Sequence, residues 1–351
     1  MKRTKTSASL STQMIARSNK PIKKKEEYDG TISQMISTGS TLLDLAITGG
    51  RVRGGGMPGG ILIEIFGPSG SGKTVLLCEL AGAMQRHGGQ VMFNDPEARL
   101  NKQFARQFDL DVNEMDYSTP DTVPQVFAAV RKWKPEPKNE IHGIFADSLA
   151  ALSTDLEMDN DEGDKMGMRR AKEFSEELRK TCRILVQRNF LMVCSNQIRQ
   201  NAGAGQFEPK YKSPGGEAVG FYSSLRLRTY QPEKIWKKLT IEGKETKRVI
   251  GVRTQVEVFK STIWKPYRTA PLTILFDYGI DDVRQNLQFI KDYTEATIYT
   301  IGNFTDLDKS MDKSIKIVED EGWEDKLRNK VIDLWEEIES KFDSNRKTKK
   351  R

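Results

Sequence analysis

The segment Gly67-Pro68-Ser69-Gly70-Ser71-Gly72-Lys73-Thr74 constrains the fold of this chain more than any other feature. It follows the β-rich run 61–66 (ILIEIF) and opens a helical stretch from Lys73 to about Arg86. That is the strand–loop–helix context a G-x-x-x-x-G-K-T phosphate loop requires. The glycines let backbone N–H groups converge on phosphate oxygens, and the helix N-terminus adds the positive end of its dipole. Lys73 is then expected to reach the β- and γ-phosphates, and the Thr74 hydroxyl to ligate Mg²⁺. A nucleoside triphosphate site follows.

The pattern around this unit repeats it. A strand over 90–94, a helix over 122–133 and a strand ending at Asp147 (IHGIFAD) come next. A long helix follows, with Ala171, Phe174, Leu178, Cys182 and Leu185 at three-to-four spacing, and then the apolar strand 190–194. Such β-α-β units predict an α/β fold with a mostly parallel sheet between helices. After Gly216 the chain turns β-rich, with strands expected near 223–230, 237–241, 248–259 and 272–276 and a hairpin turn at Glu242-Gly243-Lys244. Residues 36–280 form the expected core, and 281–344 a small C-terminal α+β domain. The latter ends in a helix over 324–342 with Leu327, Val331, Leu334, Ile338 and Phe342 on one stripe.

Composition narrows the chemistry. No apolar run in the 351 residues approaches the ~20 needed for a membrane span. Cys78, Cys182 and Cys194 are too scattered for a disulfide framework or a CxxC site, which suits a reducing compartment. With only His87 and His142, histidine metal sites and His-centred triads are disfavoured. The net charge of +7 sits in the tails: residues 1–27 carry +6, residues 345–351 carry +5, and the body is left at −4. A polyanion partner is therefore gripped locally or by the tails. The arm 1–35 is basic, and the absence of acids in its first 25 residues also suits an organellar transit peptide, although Lys outnumbers Arg there.

Polar groups fall where ligands bind, at the carboxyl ends of strands. Asp147 ends its strand, where a second-shell Mg²⁺ carboxylate sits in phosphate-loop proteins; the alternative is that Asp147 or Ser148 caps the next helix. Asp95 and Glu97 follow the strand VMFN and read either as groups that orient an attacking water or as solvated loop acids. Asn196-Gln197 ends the strand FLMVCS and either senses a γ-phosphate or ties down a loop.

These residues, taken in order, resemble the RecA family of DNA recombinases. The resemblance is carried by Ile36-Ser-Thr-Gly-Ser-Thr-Leu-Leu-Asp44, the phosphate loop, and Phe93-Asn-Asp-Pro-Glu97-Ala-Arg-Leu100. It continues through Asp147-Ser-Leu-Ala-Ala-Leu152, Met166-Gly167-Met168, Asn196-Gln-Ile-Arg199, Pro214-Gly215-Gly216 with Phe221-Tyr222, and Val258-Phe-Lys260. The divergence suggests a virus-encoded or otherwise distant member.

The resemblance implies a RecA-type core and an ATP-dependent recombinase that uses ATP and Mg²⁺ and forms helical filaments. The filament would assemble on single-stranded DNA and pair that strand with homologous duplex, in the cytoplasm of a bacterial or phage-infected cell. It makes Glu97 the catalytic glutamate, Gln197 the link from γ-phosphate to DNA, and Phe104 an adenine-stacking aromatic, the alternative being a core aromatic. It makes Lys260 a cation reaching a neighbour's nucleotide. Two DNA-facing loops would lie at about 155–166 and 199–216, with contacts from Met166, Gly167, Met168, Arg170, Arg199, Phe207, Lys210, Lys212, Gly215 and Gly216. Basic groups that neutralise phosphates beside aromatics that stack on bases suit single-strand binding.

Four departures stand out. Lys260 is followed by Ser261 and Thr262 where the family has a second lysine, and the first DNA-facing loop holds six acids between Asp155 and Asp164. The hairpin 230–252 is longer and lysine-rich, and the C-terminal tail is basic where bacterial members are acidic. The rival readings are a motor of the same fold (a helicase or packaging ATPase) and a recombinase-like accessory that exchanges no strands.

Overall fold

A computed structural model of the chain describes residues 34–49, 52–137, 140–154, 166–200, 211–212, 217–344 and 346. The N-terminal arm, the acidic stretch 155–164, most of 201–216 and all but one residue of the basic tail lie outside these.

Helix α1 (Thr41–Thr48) starts where Ser40 accepts a hydrogen bond from the Leu43 N–H. Buried Asp44 ties down the turn before it, accepting from the Thr38 N–H (2.8 Å), the Thr38 hydroxyl (2.7 Å) and the Ser37 hydroxyl (2.5 Å). Burial pushes the Asp44 carboxyl up to about 6 against these hydrogen bonds. The string Ile36–Asp44 is thus a helix start that satisfies its own polar groups.

Strand β1 (Ile61–Gly67) leads through the phosphate loop into α2 (Lys73–Arg86). Then follow β2 (Val91–Asn94), α3 (Lys102–Arg106), β3 (Met115–Ser118), α4 (Val123–Lys132) and β4 (His142–Ala146). Next come α5 (Met166–Gln187), β5 (Phe190–Gln197), the short pair β6 (Arg199–Gln200) and β7 (Tyr211–Lys212), and α6 (Glu217–Tyr222). Strands β8 (Leu225–Thr229), β9 (Glu233–Ile241), β10 (Lys244–Ser261), β11 (Thr269–Leu275) and β12 (Gly279–Ile280) complete the sheet.

Its order is β12-β11-β10-β8-β1-β5-β4-β2-β3, with β9 paired to β10. The run from β8 to β3 is parallel, and β9 to β12 are antiparallel. The fold is therefore the expected α/β core with a mostly parallel sheet between helices. Residues on alternate faces of a strand explain the two layers. Leu62, Met92, Ile144 and Met192 face a cluster with Phe127 of α4 and Phe174 of α5. On the opposite face Gly143 leaves room for Met84 of α2.

The expected turn at Glu242-Gly243 is present, with both residues at positive φ (49° and 77°), as a two-residue hairpin connection requires. The strands there are longer than periodicity suggests: β9 begins at Glu233 and β10 runs for 18 residues. Helices α7 (Asp282–Asp292), α8 (Met311–Asp320) and α9 (Glu324–Lys341) follow, and α7 and α9 pack on α1. Asp282 of α7 fastens this junction, accepting from the Thr41 N–H and the Thr41 hydroxyl, both at 2.7 Å. Leu327 and Val331 of α9 are buried as expected, but Phe342 is 79% exposed, one residue beyond the helix end.

Candidate nucleotide site

The loop between β1 and α2 is shaped by close approaches that only glycine permits. A Cβ on Gly67 would sit 2.0 Å from Thr229 Oγ1 of β8. Gly72, at φ +85°, has Ile274 where a Cβ would be, at 2.3 Å. Thr229 also fixes the loop by hydrogen bonding: its hydroxyl lies 2.7 Å from Ser71 Oγ, which donates to the Pro68 carbonyl at 2.8 Å. Ser71 therefore braces the loop, while Ser69, Gly70, Gly72, Lys73 and Thr74 line a cavity of about 330 Å³.

The carboxyl edge of the sheet supplies the rest of that cavity. Asp147, just past β4, accepts from Thr74 Oγ1 at 2.6 Å on one oxygen and from the buried Ser195 hydroxyl of β5 on the other. Glu97 lies on the same wall, paired with Arg99 at 2.5 Å and accepting weakly from Ser148 Oγ at 3.4 Å. Gln197, the last residue of β5, lines the cavity as well. Lys73 Nζ donates to the carbonyls of Gly67 (3.1 Å) and Pro68 (2.7 Å). Burial pushes its ammonium below the usual value, while Asp147 and Glu97 pull it back up.

The far end of the cavity is apolar. Phe104 of α3, half-buried, lines it and meets the buried Phe108 edge-to-face at 5.0 Å. Leu100, Val252, Ile274 and Phe276 complete that wall. Phe276 is 56% exposed and stands directly after β11, a position its apolar strand sequence does not distinguish.

Asp95 also lines the cavity, and it is buried rather than a solvated loop acid. It is 2% exposed, and its Oδ2 accepts from the Leu100 N–H (2.8 Å) and the Tyr117 hydroxyl (2.9 Å), so it holds the loop that carries Glu97. Burial and that hydrogen bond push the Tyr117 phenol up to about 12.

Lys260 lies outside this cavity. Its Nζ donates to the Gly220 and Phe221 carbonyls of α6. Among the expected DNA contacts, Met166, Gly167 and Met168 begin α5 and Arg170 is half-buried on it. Arg199 of β6 pairs with Lys212 of β7, whereas Phe207, Lys210, Gly215 and Gly216 lie outside the described residues.

The set fits a Mg²⁺–triphosphate: a glycine cradle, a buried lysine, and a hydroxyl–carboxylate pair of the kind that shares Mg²⁺ with substrate phosphates. Among the described residues no helix is long and apolar enough to cross a membrane.

The chain is similar in sequence to known proteins. The model of the RecA N-terminal domain matches residues 18–281. Protein RecA of Delftia acidovorans is 35% identical over 247 residues, 70% of this chain and 63% of that protein. Protein RecA of Thermus thermophilus is 34% identical over 252 residues, 71% of this chain and 69% of the relative. Protein RecA of Borrelia duttonii is 35% identical over 259 residues, covering 74% and 68%. The matches span about two thirds of these relatives' length.

Proposed function

The chain belongs to the RecA family, and from that premise we propose that it is an ATP-dependent homologous recombinase. It polymerises on single-stranded DNA, pairs that strand with homologous duplex, and releases DNA on hydrolysis. The observation that carries the reading is that Lys73, Thr74, Glu97, Asp147 and Gln197, from four separate stretches of sequence, line one cavity at the carboxyl edge of the sheet.

Each group has a task there. Loop amides and Lys73 neutralise the phosphates, and the apolar wall with Phe104 takes the base. Thr74 would ligate Mg²⁺, with Asp147 behind it in the second shell, and the bound ion would neutralise charge on the phosphate oxygens. Glu97 orients the attacking water and accepts its proton. Gln197 stands at the end of β5 with β6 beginning two residues later, which favours it as the link between γ-phosphate and the DNA-facing segment. Lys260, outside its own chain's cavity, suits a nucleotide shared between protomers. The basic tails add salt-sensitive capture of DNA. The setting is cytoplasmic.

Electron microscopy of the full chain with single-stranded DNA and a slowly hydrolysed ATP analogue tests this reading. Helical filaments are expected, and strand exchange should yield heteroduplex. Closed rings alone would identify a motor of the same fold. Tight DNA binding without heteroduplex would identify an accessory protein.

A further inference from the structure

Glu64 is a carboxylate in the middle of an apolar strand. It lies in β1, three residues before Gly67, and is fully buried. One of its oxygens accepts from Asn196 Nδ2 at 2.9 Å and the other from Arg226 Nε of β8 at 2.7 Å. A buried charge is costly to desolvate and persists only with partners on each side. Those partners in turn hold two separate parts of the molecule.

On one side, Asn196 Oδ1 accepts from the backbone N–H of Gln197 at 3.1 Å, so Glu64 fixes the amide that orients the phosphate-edge glutamine. On the other side, the Arg226 guanidinium lies over the rings of Phe66 (4.5 Å) and Phe259 (5.3 Å). It also abuts α6, where a Cβ on Gly220 would sit 2.9 Å from the guanidinium carbon. Lys260, next to Phe259, donates to the carbonyls of that same helix at 2.8 Å (Gly220) and 3.0 Å (Phe221). Burial and the Arg226 charge both push the Lys260 ammonium down, and Glu64 opposes them. Helix α6 begins 20 residues after Gln197, and both it and the end of β5 are attached to one buried carboxylate.

We propose that the Glu64–Arg226 ion pair is a positioning pair that couples the nucleotide edge at Asn196-Gln197 to α6 and Lys260, and so transmits nucleotide occupancy to DNA affinity. A shift of Gln197 towards a γ-phosphate draws the Asn196 amide with it and changes how Glu64 is shared between Asn196 and Arg226. Arg226 then moves against α6. Lys260 is the element with two arrangements: fastened to the α6 carbonyls of its own chain, or released to face a neighbour. This coupling rests on the recombinase reading, since it is DNA affinity that it regulates.

The test uses the full chain, a labelled oligothymidylate and a slowly hydrolysed ATP analogue. DNA affinity is measured by fluorescence anisotropy with and without the analogue, and analogue affinity is measured without DNA. Glu64→Gln should leave analogue affinity within about twofold of wild type and cut the nucleotide-induced gain in DNA affinity at least about tenfold, within the usual range of allosteric coupling. Because Glu64→Gln leaves the partly buried Arg226 without its counter-charge, the double variant Glu64→Gln/Arg226→Gln is measured beside it. The double variant should recover thermal stability but remain uncoupled. Return of the nucleotide-induced gain along with stability would mean the pair is merely structural and would overturn the coupling. A full gain in Glu64→Gln itself would do the same. A wild-type chain with no gain would overturn the recombinase reading and the coupling together.

Discussion

The parallel strands at the centre of the sheet and the antiparallel ribbon of β9 and β10 share one hydrogen-bonded sheet, yet they are built on opposite terms. Every residue of β2 and β4 is buried, as are all but one of β1 and of β5. In β9 all residues but Ile235 are exposed, including Trp236 (49%), Leu239 (52%) and Ile241 (54%). A strand with no solvent face has its register set by packing on both sides, so the residues at its carboxyl end are delivered to fixed places. That is why Asp147 and Gln197 meet the phosphate loop. The ribbon's register rests on its backbone ladder and its turn, so its lysines bring charge without fixed geometry.

The contrast is broken most sharply at Lys73. Lys73→Ala removes the buried cation of the phosphate end, and ATP turnover should fall at least about 100-fold, the scale of losing one preorganised electrostatic contact. ATP-dependent filaments should disappear with it. Ordinary turnover in this variant would mean that the rigid half does not carry the chemistry.

Glu97 tests whether the same wall separates binding from chemistry. Glu97→Gln should lower turnover about 10²- to 10⁴-fold, the range of general acid–base catalysis, while ATP affinity survives. Filaments should then persist longer. A collapse of ATP affinity instead would make Glu97 a binding residue, with its pairing to Arg99 the relevant contact.

Much of the rigid half is legible in the amino-acid sequence, because apolar runs and glycine turns are local signals. The helix Lys73–Arg86 has the bounds its sequence predicts, and Glu97, Asp147 and Gln197 lie where strand ends put them. The roles of Asp95, Glu64 and Thr229 are not legible in that way. Asp95 serves Tyr117, Glu64 serves Arg226, and Thr229 serves Ser71, partners separated by 22, 162 and 158 residues. Such pairs leave no periodic trace. Glu64 does carry one local hint, as the single acid inside ILIEIF.

The seam between the two halves offers a test of intermediate size. Glu79 of α2 accepts from the Ile280 N–H of β12 at 3.4 Å, and burial raises its carboxyl from 4.5 to about 7. The folded chain therefore holds this proton more tightly than the unfolded chain. Stability contributed by the protonated group is complete below about pH 4.5 and is lost as pH rises through about 7. The shift corresponds to roughly 3 kcal/mol at about 1.4 kcal/mol per unit. Glu79→Gln should flatten the fall in denaturation midpoint across that window and leave the variant more stable than wild type at pH 8. An unchanged pH profile would mean that the seam is wetter than its packing indicates.

The smallest effect belongs to the ribbon, and its smallness is the point. Lys238 pairs with Glu245 at 3.2 Å and Lys247 stands over Trp236 at 4.2 Å, both contacts in solvent. Exposed ion pairs are worth little because water and salt screen them and the long side chains lose entropy in holding them. Lys238→Ala and Lys247→Ala should each change unfolding free energy by less than about 0.5 kcal/mol, the ordinary range for surface substitutions. Urea denaturation checks this directly. A loss well above that value would show the ribbon packed against something in solution, and the contrast between the two halves of the sheet would then mark an occupied surface rather than a solvated one.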